Sequence, residues 1–226
     1  SMEQVKVDVA YSNTNVKLIG ISGGISYGAL GMTHHSSNDI ASLGSIPNMR
    51  VYFPCDRHQT KVLFKQLIQD NNPAYIRVGR NPVEDVYSED NIPFVMDKAT
   101  LVHAGNDITI IASGEMVFPA QQAANTLKAC GISCRVLDMY CIKPLDTEAV
   151  LNAARDTKAI IVIEEHVAIG GLGSMVSQVV CANQPVKVIS MCLPDEPVIT
   201  GKSAEVFAYY GLTDDNLVKT AMELLA

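Results

Sequence analysis

The sequence lacks the features of a membrane protein and of a nucleic-acid-binding protein. None of its apolar runs approaches the about 20 residues that a membrane-spanning helix needs, and no signal-peptide pattern stands at its start. Its 17 lysine and arginine residues are scattered without a basic run, and the formal net charge is -7 at pH 7. These absences argue against general binding to nucleic acid or anionic membranes, but they leave room for a small local anion site. We therefore expect a cytoplasmic protein with neither nucleic acid nor membrane among its partners.

Metal-binding and redox cysteine motifs are absent as well. The six cysteines include no Cys-x-x-Cys pair, and the spacing of Cys130 and Cys134 is not that of zinc ligands. The cysteines have apolar neighbours, as around Cys181 and Cys192, which predicts free, buried thiols in a reducing compartment. Neither a Ser-His-Asp pattern nor a phosphate-binding P-loop motif stands out.

What the sequence has instead is a regular alternation of short apolar strands with amphipathic helices. Hydrophobic residues make up 48% and charged residues 18% of the chain, as in a well-packed globular protein. The alternation runs from residue 16 to residue 78, lapses from residue 81 to residue 97, and resumes at residue 108. Such alternation is typical of parallel sheets covered by helices on both faces. We predict an α/β fold of two three-layer α/β/α units with mainly parallel sheets.

The lapse in the alternation sets the predicted domain boundaries. Residues 83–97 carry Pro93 and several acidic side chains without sustained apolar periodicity, which is typical of a linker. We assign residues 1–82 to a first unit and residues 98–226 to a second, complete unit. Residues 3–9 have a helical pattern with no cap before them, so we expect the first unit to be incomplete at its N-terminus.

Two adjacent histidines follow a glycine-rich segment after the first predicted strand. The segment reads Gly28-Ala29-Leu30-Gly31-Met32-Thr33-His34-His35. Glycines let a ligand approach the backbone closely, and histidine supplies a proton or a hydrogen bond. A solvated loop with an incidental histidine pair explains these residues equally well. A metal is not expected here, because no acidic or cysteine partner lies nearby.

Two arginines mark the end of the strand predicted at residues 74–78. Arg80 lies just past the carboxyl end of that strand, where α/β folds gather ligands, and a guanidinium there suits a phosphate or a carboxylate. A salt bridge explains Arg80 at least as well. Arg77 lies within the strand and is expected to make a structural ion pair.

A third group of polar and glycine residues follows the strand predicted at residues 159–163. Glu164, Glu165 and His166 suit either acid–base chemistry or polar contacts across a dimer. The glycine cluster at residues 170–174 lacks the spacing of a dinucleotide-binding fingerprint. A tight turn from strand to helix at a subunit interface explains that cluster better.

Taken in chain order, these motifs resemble those of one enzyme family. The first unit resembles the pyrimidine-binding domain of transketolases and deoxyxylulose-phosphate synthases, and the second resembles the transketolase C-terminal domain, as in split transketolase C-terminal subunits. The matching segments are Gly28-x-x-Gly31-x-Thr33-His34, Asn38-Asp39-Ile40-Ala41, Ile46-Pro47-Asn48-Met49-x-Val51-x-x-Pro54-x-Asp56, Tyr75-Ile76-Arg77 with Arg80, Ile110-Ile111-Ala112-Ser113-Gly114, Val136-Leu137-Asp138-Met139, Ile142-Lys143-Pro144-Leu145-Asp146, and Glu164-Glu165-His166 with Gly170-Gly171-Leu172-Gly173-Ser174.

The resemblance implies a thiamine-diphosphate-dependent enzyme that transfers a two-carbon ketol unit between sugar phosphates, as in pentose phosphate metabolism. By resemblance, His34 is the active-site histidine, Arg80 binds the substrate phosphate, and Thr33 and His35 are further substrate contacts. The family's activating glutamate and its diphosphate and Mg2+ site correspond to no part of this sequence. The resemblance therefore implies an isolated chain that is inactive, and a partner subunit or domain that is N-terminal and binds the diphosphate. It also implies a homo-oligomer, with the active site formed between the subunits of a dimer.

Two positions depart from the family pattern. Leu30 stands where an acidic residue usually precedes the glycine equivalent to Gly31, and leucine cannot accept a hydrogen bond from a sugar hydroxyl. Ser22 stands where full-length transketolases often carry a histidine, which brings the chain nearer to deoxyxylulose synthases and split transketolases. A deoxyxylulose-phosphate synthase and a 2-oxo-acid dehydrogenase beta-type chain are therefore alternative enzymes. A non-catalytic dimerisation or regulatory α/β module is an alternative of another class.

Overall fold

The structure is a computed structural model that describes residues Ser1–Ala226. The strands are β1 Lys17–Ile21, β2 Arg50–Tyr52, β3 Ala74–Val78, β4 Thr100–His103, β5 Ile108–Ala112, β6 Cys134–Asp138, β7 Cys141–Lys143, β8 Ala159–Val167 and β9 Lys187–Leu193. The α-helices are α1 Met2–Gln4, α2 Asp39–Gly44, α3 Arg57–Gln69, α4 Val117–Ala129, α5 Thr147–Asp156, α6 Leu172–Asn183, α7 Ser203–Tyr209 and α8 Asp214–Leu225. A π-helical stretch, Val5–Tyr11, continues α1. No helix combines the length and the apolar composition that crossing a bilayer requires.

The strands form two mixed sheets in which parallel pairs predominate. The first sheet has the order β1-β3-β2-β7 and the second has the order β4-β6-β5-β8-β9. Only β7, against β2, and β4, against β6, run antiparallel to a neighbour. The predicted α/β fold with two mainly parallel sheets is confirmed. The sequence pattern does not predict β4 or β7, because each is short and contains only two adjacent apolar residues.

Asp and Thr commonly cap helices, and the sequence predicts caps at Asp56, Asp146 and Thr213. The side chains of Asp56, Asp146 and Thr213 each accept a hydrogen bond from the backbone N–H three residues further on. A cap of this kind stabilises a helix by about 1 kcal/mol, because it satisfies one of the first unpaired N–H groups. Local sequence therefore fixes the starts of α3, α5 and α8.

The two sheets share one hydrophobic core. Tyr52 and Ile76 of the first sheet belong to the same cluster of 26 buried residues as Ile111 of the second sheet. The neighbouring Ile110 lies in a separate cluster of 23 buried residues on the opposite face of the second sheet. Successive side chains of a strand point to opposite faces, so β5 contributes to both cores. The shared core holds the first sheet against the second.

All six cysteines are free thiols, but they are not all buried. Cys55, Cys134 and Cys141 lie in the interior, whereas Cys130 and Cys181 are exposed. The prediction of buried thiols is therefore wrong for these last two residues. Both lie at the ends of helices, where an apolar sequence neighbourhood does not guarantee burial.

A long loop connects β1 to α2 and carries the histidine pair. We call residues 22–37 the His34 loop. It contains a 3-10 turn, Gly28–Leu30, and an isolated bridge between Gly24 and Ser36 that brings its two ends together. The loop starts at the carboxyl end of a parallel strand, the side of the sheet on which α/β proteins bind ligands.

Candidate functional site

Arg77 of β3 is the centre of a buried charge network between the two sheets. Its guanidinium pairs with Glu165 of β8 and with Asp39 at the start of α2, where Nη1 and Oδ1 are 3.3 Å apart. Asp39 also accepts a 2.9 Å hydrogen bond from the hydroxyl of Tyr75. The Arg77 guanidinium carbon lies 4.6 Å from the centre of the Phe53 ring. The predicted structural ion pair of Arg77 is confirmed, and it joins the first sheet to the second.

Glu164 occupies the start of helix α6. Its two carboxylate oxygens accept hydrogen bonds of 2.6 and 2.7 Å from the backbone N–H groups of Leu172 and Gly173. A Cβ atom on Gly171 would lie 2.5 Å from Glu164 Oε2, so the glycine cluster leaves room for this carboxylate. Burial raises the pKa of Glu164 to about 7, although the two N–H groups oppose the shift. The cluster is a strand-to-helix turn, as the sequence predicts.

The start of α6 is a place where the diphosphate of thiamine diphosphate, the cofactor that the resemblance implies, could be expected to bind. Anions bind to free N–H groups at helix N-termini, but Glu164 already takes those of the glycine-rich turn before α6. The residues of this turn therefore do not fit a diphosphate. No group of three or more His, Cys, Asp or Glu side chains is placed to hold a metal ion.

Strand β8 continues through Val167, so the prediction that it ends at residue 163 is wrong. Glu164, Glu165 and His166 lie inside the strand and are buried. His166 Nδ1 lies 2.6 Å from the carbonyl oxygen of Val167, and Nε2 lies 3.4 Å from the amide nitrogen of Ala41, which donates to it. Burial lowers the pKa of His166, so the ring that satisfies both contacts is neutral with its proton on Nδ1. These three residues find their polar partners within the chain.

The predicted residues His34 and Arg80 meet around Tyr27. The Arg80 guanidinium carbon lies 4.3 Å from the centre of the Tyr27 ring, and the ring centres of Tyr27 and His34 are 5.5 Å apart. Thr33 Oγ1 lies 3.0 Å from His34 Nδ1, which leaves Nε2 free for a ligand. Thr33, His34 and Arg80 are all exposed. Tyr27 was missed by the sequence reasoning, and only its place beside Gly28 in the glycine-rich loop marks it.

His35 points away from this group and into the protein. Its Nδ1 and Nε2 atoms are both buried without a hydrogen-bond partner. Burial lowers the pKa of His35, and a positive charge on His34 would lower it further. The two adjacent histidines therefore differ in environment: His34 is exposed, whereas His35 is half-buried with both ring nitrogens covered.

An open cleft of about 870 Å³ lies beside Tyr27 and Arg80. We call it the Arg80 cleft. One wall comes from the His34 loop and the residues after β3, and the other comes from Lys202, Ser203 and Phe207 of the second half of the chain. The cleft is large enough for a small sugar phosphate, and it offers cationic, hydroxyl and aromatic groups on opposite walls.

Glu115, just after β5, borders the Arg80 cleft and two neighbouring depressions. Burial, with repulsion from Glu165 second, raises the pKa of Glu115 to about 7. Its Oε1 atom is buried without a partner and lies against the backbone of Gly79. A carboxyl group in this state can take up or release a proton near neutral pH.

Together these features define an α/β protein with a cleft at the carboxyl ends of parallel strands, lined by the cations of Arg80 and Lys202 and by the carboxyl groups of Glu115 and Glu205. Two family models cover nearly the whole chain: the transketolase pyrimidine binding domain matches residues 1–84, and the transketolase C-terminal domain matches residues 97–217. The chain belongs to the transketolase family and is part of a transketolase-type transferase.

Known relatives support this assignment. A subunit of the apulose-4-phosphate transketolase of Phocaeicola vulgatus is 51% identical over 225 residues, which are 100% of this chain and 72% of that protein. The 6-deoxy-6-sulfo-D-fructose transketolase subunit SqwH of a Clostridium species is 37% identical over 222 residues, 98% of this chain and 69% of that protein. Among solved structures, an inactive beta4 tetramer of a split gene transketolase matches 99% of this chain and 71% of its own, with a TM-score of 0.88 and 36% identity.

Proposed function

We propose that this chain is the C-terminal part of a split transketolase that transfers a two-carbon ketol unit between sugar phosphates in the cytoplasm. The observation that carries the proposal is the position of His34 and Arg80, which both contact Tyr27 at the mouth of the Arg80 cleft. One cation for a phosphate and one exposed imidazole for a hydroxyl or carbonyl oxygen are the groups that binding and proton transfer require there.

Each residue has a separate role in this proposal. Arg80 binds the anionic end of the substrate, because a guanidinium matches a phosphate with two parallel hydrogen bonds. His34 contacts the reacting end and moves a proton through Nε2, while the Thr33 hydroxyl holds Nδ1. His35 is the weakest of the four predicted contacts, because both of its ring nitrogens are buried.

The substrate is proposed to be a ketose that carries a terminal anion. The names of the two relatives specify a phosphate on apulose and a sulfo group on deoxyfructose. Arg80 suits either anion, because both present several oxygens to a planar donor. Leu30 is half exposed on the His34 loop and accepts no hydrogen bond, so recognition of the sugar hydroxyls must come from other residues.

The assembled enzyme is proposed to need a second, diphosphate-binding subunit. The glycine-rich turn of this chain is filled by Glu164 and does not fit a diphosphate. We therefore assign the main ligands of thiamine diphosphate and Mg2+ to the partner subunit, and the cofactor supplies the carbanion chemistry there. The inactive beta4 tetramer among the structural neighbours is a precedent for a homo-oligomer of such chains without turnover.

Reconstitution tests the proposal. The chain is mixed with the diphosphate-binding subunit of a split transketolase, thiamine diphosphate and Mg2+, and transfer from a ketose phosphate labelled with 13C at C1 and C2 is followed by mass spectrometry. We expect an aldose phosphate acceptor to gain two labelled carbons. Arg80→Ala should raise the acceptor KM at least tenfold, whereas Lys187→Ala, which removes an exposed cation from β9, should leave it unchanged. Absence of transfer would contradict the proposal.

The same mixture also distinguishes a transketolase from the nearest alternative, a deoxyxylulose-phosphate synthase. Ser22 is the residue that brings the chain closer to a deoxyxylulose-phosphate synthase. Such an enzyme consumes pyruvate and releases carbon dioxide, so pyruvate is offered as the donor in a parallel reaction. Product from pyruvate and none from the ketose phosphate would replace the transketolase assignment with the synthase.

A further inference from the structure

Two glycines of the His34 loop are pressed against a segment of the second half of the chain. A Cβ atom on Gly28 would collide with the carbonyl oxygen of Gly201, and Gly201 N donates a 3.3 Å hydrogen bond to the carbonyl oxygen of Gly28. A Cβ atom on Gly31 would lie 2.5 Å from Thr200 Oγ1. Gly31 has φ 70°, but Gly28 has no positive φ. At Gly28 the need for glycine therefore comes from this contact alone.

Further contacts from the second half of the chain hold both ends of the same loop. Glu165 Oε1 accepts a 2.5 Å hydrogen bond from the backbone N–H of Ile25 near the start of the loop. The carbonyl oxygen of Ser37, at its end, accepts a 3.0 Å hydrogen bond from Val167 N. The loop therefore touches the second half of the chain at its start, its middle and its end.

The residue after Arg80 is attached to the same segment. Asn81 Nδ2 donates a 3.2 Å hydrogen bond to Ser203 Oγ. Residues 200–203 thus contact the loop that carries His34 on one side and the neighbour of Arg80 on the other. We call residues 200–203 the clamp segment.

We propose that the clamp segment is a positioning element that sets the placement of His34 relative to Arg80. Residues of the clamp segment contact the backbone of the His34 loop and the side chain of Asn81. Exposed loops without such anchors sample many conformations, and a misplacement of about 1 Å at a reacting group costs on the order of a hundredfold in rate. The roles of His34 and Arg80 rest on the proposed function, whereas the contacts of the clamp segment do not.

The sharpest variant is Gly28→Ala. It adds one methyl group where the carbonyl oxygen of Gly201 lies, and it imposes no forbidden backbone conformation. Gly44→Ala at the end of α2 is the matched control, because a Cβ atom there meets nothing within 4 Å. Ser203→Ala is a milder second variant that removes the hydrogen bond from Asn81.

Two measurements distinguish an effect on the placement of His34 from an effect on the activity of the reconstituted enzyme. In the full chain, 1H–13C spectra record the imidazole signals of His34, whose ring lies 5.5 Å from that of Tyr27 and senses its ring current. His103 on β4 is an internal control far along the chain, held by the carbonyl oxygen of Cys134. In the reconstituted enzyme, the acceptor KM and kcat are measured for the same variants, with melting temperatures as a check on folding.

We expect Gly28→Ala to shift the His34 signals without moving those of His103, to raise the acceptor KM and to lower kcat, for a loss of about a hundredfold in kcat/KM. Gly44→Ala should match the unmodified chain in both readouts. Ser203→Ala should raise the KM by a few-fold and shift the His34 signals. Because Ser203 also lines the Arg80 cleft, the His34 signals of this variant decide the question if Gly28→Ala does not fold. His34 signals and a KM that are unchanged in a folded variant would overturn the proposal. If the unmodified enzyme shows no transfer, the proposed function fails, and the His34 signals still decide the role of the clamp segment.

Discussion

Glu165 of β8 bonds to Arg77 of β3 with one carboxylate oxygen and to the base of the His34 loop with the other. The first contact is a buried ion pair, and the second is the 2.5 Å hydrogen bond from Ile25 N. One side chain therefore connects the second sheet both to the first sheet and to the loop that carries the proposed catalytic histidine. The stability of the junction between the sheets and the geometry of the site depend on the same residue.

Glu165→Gln should destabilise the fold strongly. The change leaves the buried Arg77 guanidinium with Asp39 as its one remaining carboxylate partner, and breaking a buried ion pair costs about 3–5 kcal/mol. Urea denaturation followed by circular dichroism measures the loss. The control is Asp85→Asn, which breaks the exposed pair with Arg57 and should cost far less, because solvent screens that pair. Equal losses of unfolding free energy in the two variants would show that the buried pair stabilises the fold no more than the exposed pair does.

Stability should fall as the pH rises from about 4 to about 7, with Asp138 as one cause. Burial raises the pKa of Asp138 to about 7, although its Oδ2 accepts hydrogen bonds from Tyr87, Gln59 and Cys55. A folded-state pKa above the unfolded value of about 4 means that the folded state holds the proton between those pH values. The contribution of the Asp138 proton to the free energy of unfolding is therefore largest below pH 4, at roughly 4 kcal/mol, and is lost as the pH rises to about 7.

Asp138→Asn tests this assignment, because asparagine resembles the protonated acid. The free energy of unfolding, measured at intervals from pH 4.5 to pH 8, should fall less steeply with pH in the variant. Glu115 and Glu164 have pKa values raised in the same direction, so part of the slope should remain. Parallel curves for the variant and the unmodified chain would exclude Asp138 as a source of the pH dependence.

Glu164→Gln should weaken the start of α6. The carboxylate accepts from two backbone N–H groups, and a glutamine has only one oxygen to offer them. Leaving one buried N–H without an acceptor costs about 1–3 kcal/mol. The melting temperature should drop by several degrees, whereas Glu196→Gln at an exposed position should leave it unchanged. A variant as stable as the unmodified chain would mean that water replaces the lost acceptor.

His34→Ala should lower turnover of the reconstituted enzyme far more than it lowers stability. His34 is exposed, so its removal leaves no cavity in the core, and proton transfer by a positioned histidine contributes roughly a hundredfold or more. The measurement pairs kcat with a melting curve. His103→Ala on β4 serves as the comparison, since it removes a histidine outside the site. Unchanged kcat in the His34 variant would refute its catalytic role.

The chain alone should bind thiamine diphosphate weakly. The glycine-rich start of α6 is filled by Glu164, and the proposed diphosphate ligands belong to the partner. Isothermal titration of the chain with thiamine diphosphate and Mg2+ should show no micromolar binding, and adding the partner subunit should produce it. Micromolar affinity without the partner would sink the split-site proposal.

The sequence by itself determined the elements and the family. Alternating apolar runs predicted both parallel sheets, and Asp56, Asp146 and Thr213 marked three helix starts, because strand periodicity and capping are properties of neighbouring residues. The ordered motifs around Thr33-His34 and Arg80 identified the transketolase family, which the comparisons confirm. The roles of these residues stay predictions.

Only the tertiary structure decided how the site is put together. It placed Tyr27 beside both His34 and Arg80, buried Glu164, Glu165 and His166 inside a strand, and set Gly28 against Gly201. These relationships join residues that lie from a few positions to more than a hundred positions apart, and no local pattern records such a contact. A buried carboxylate and a catalytic one look alike in sequence, because what distinguishes them is the partner that folding brings within about 3 Å.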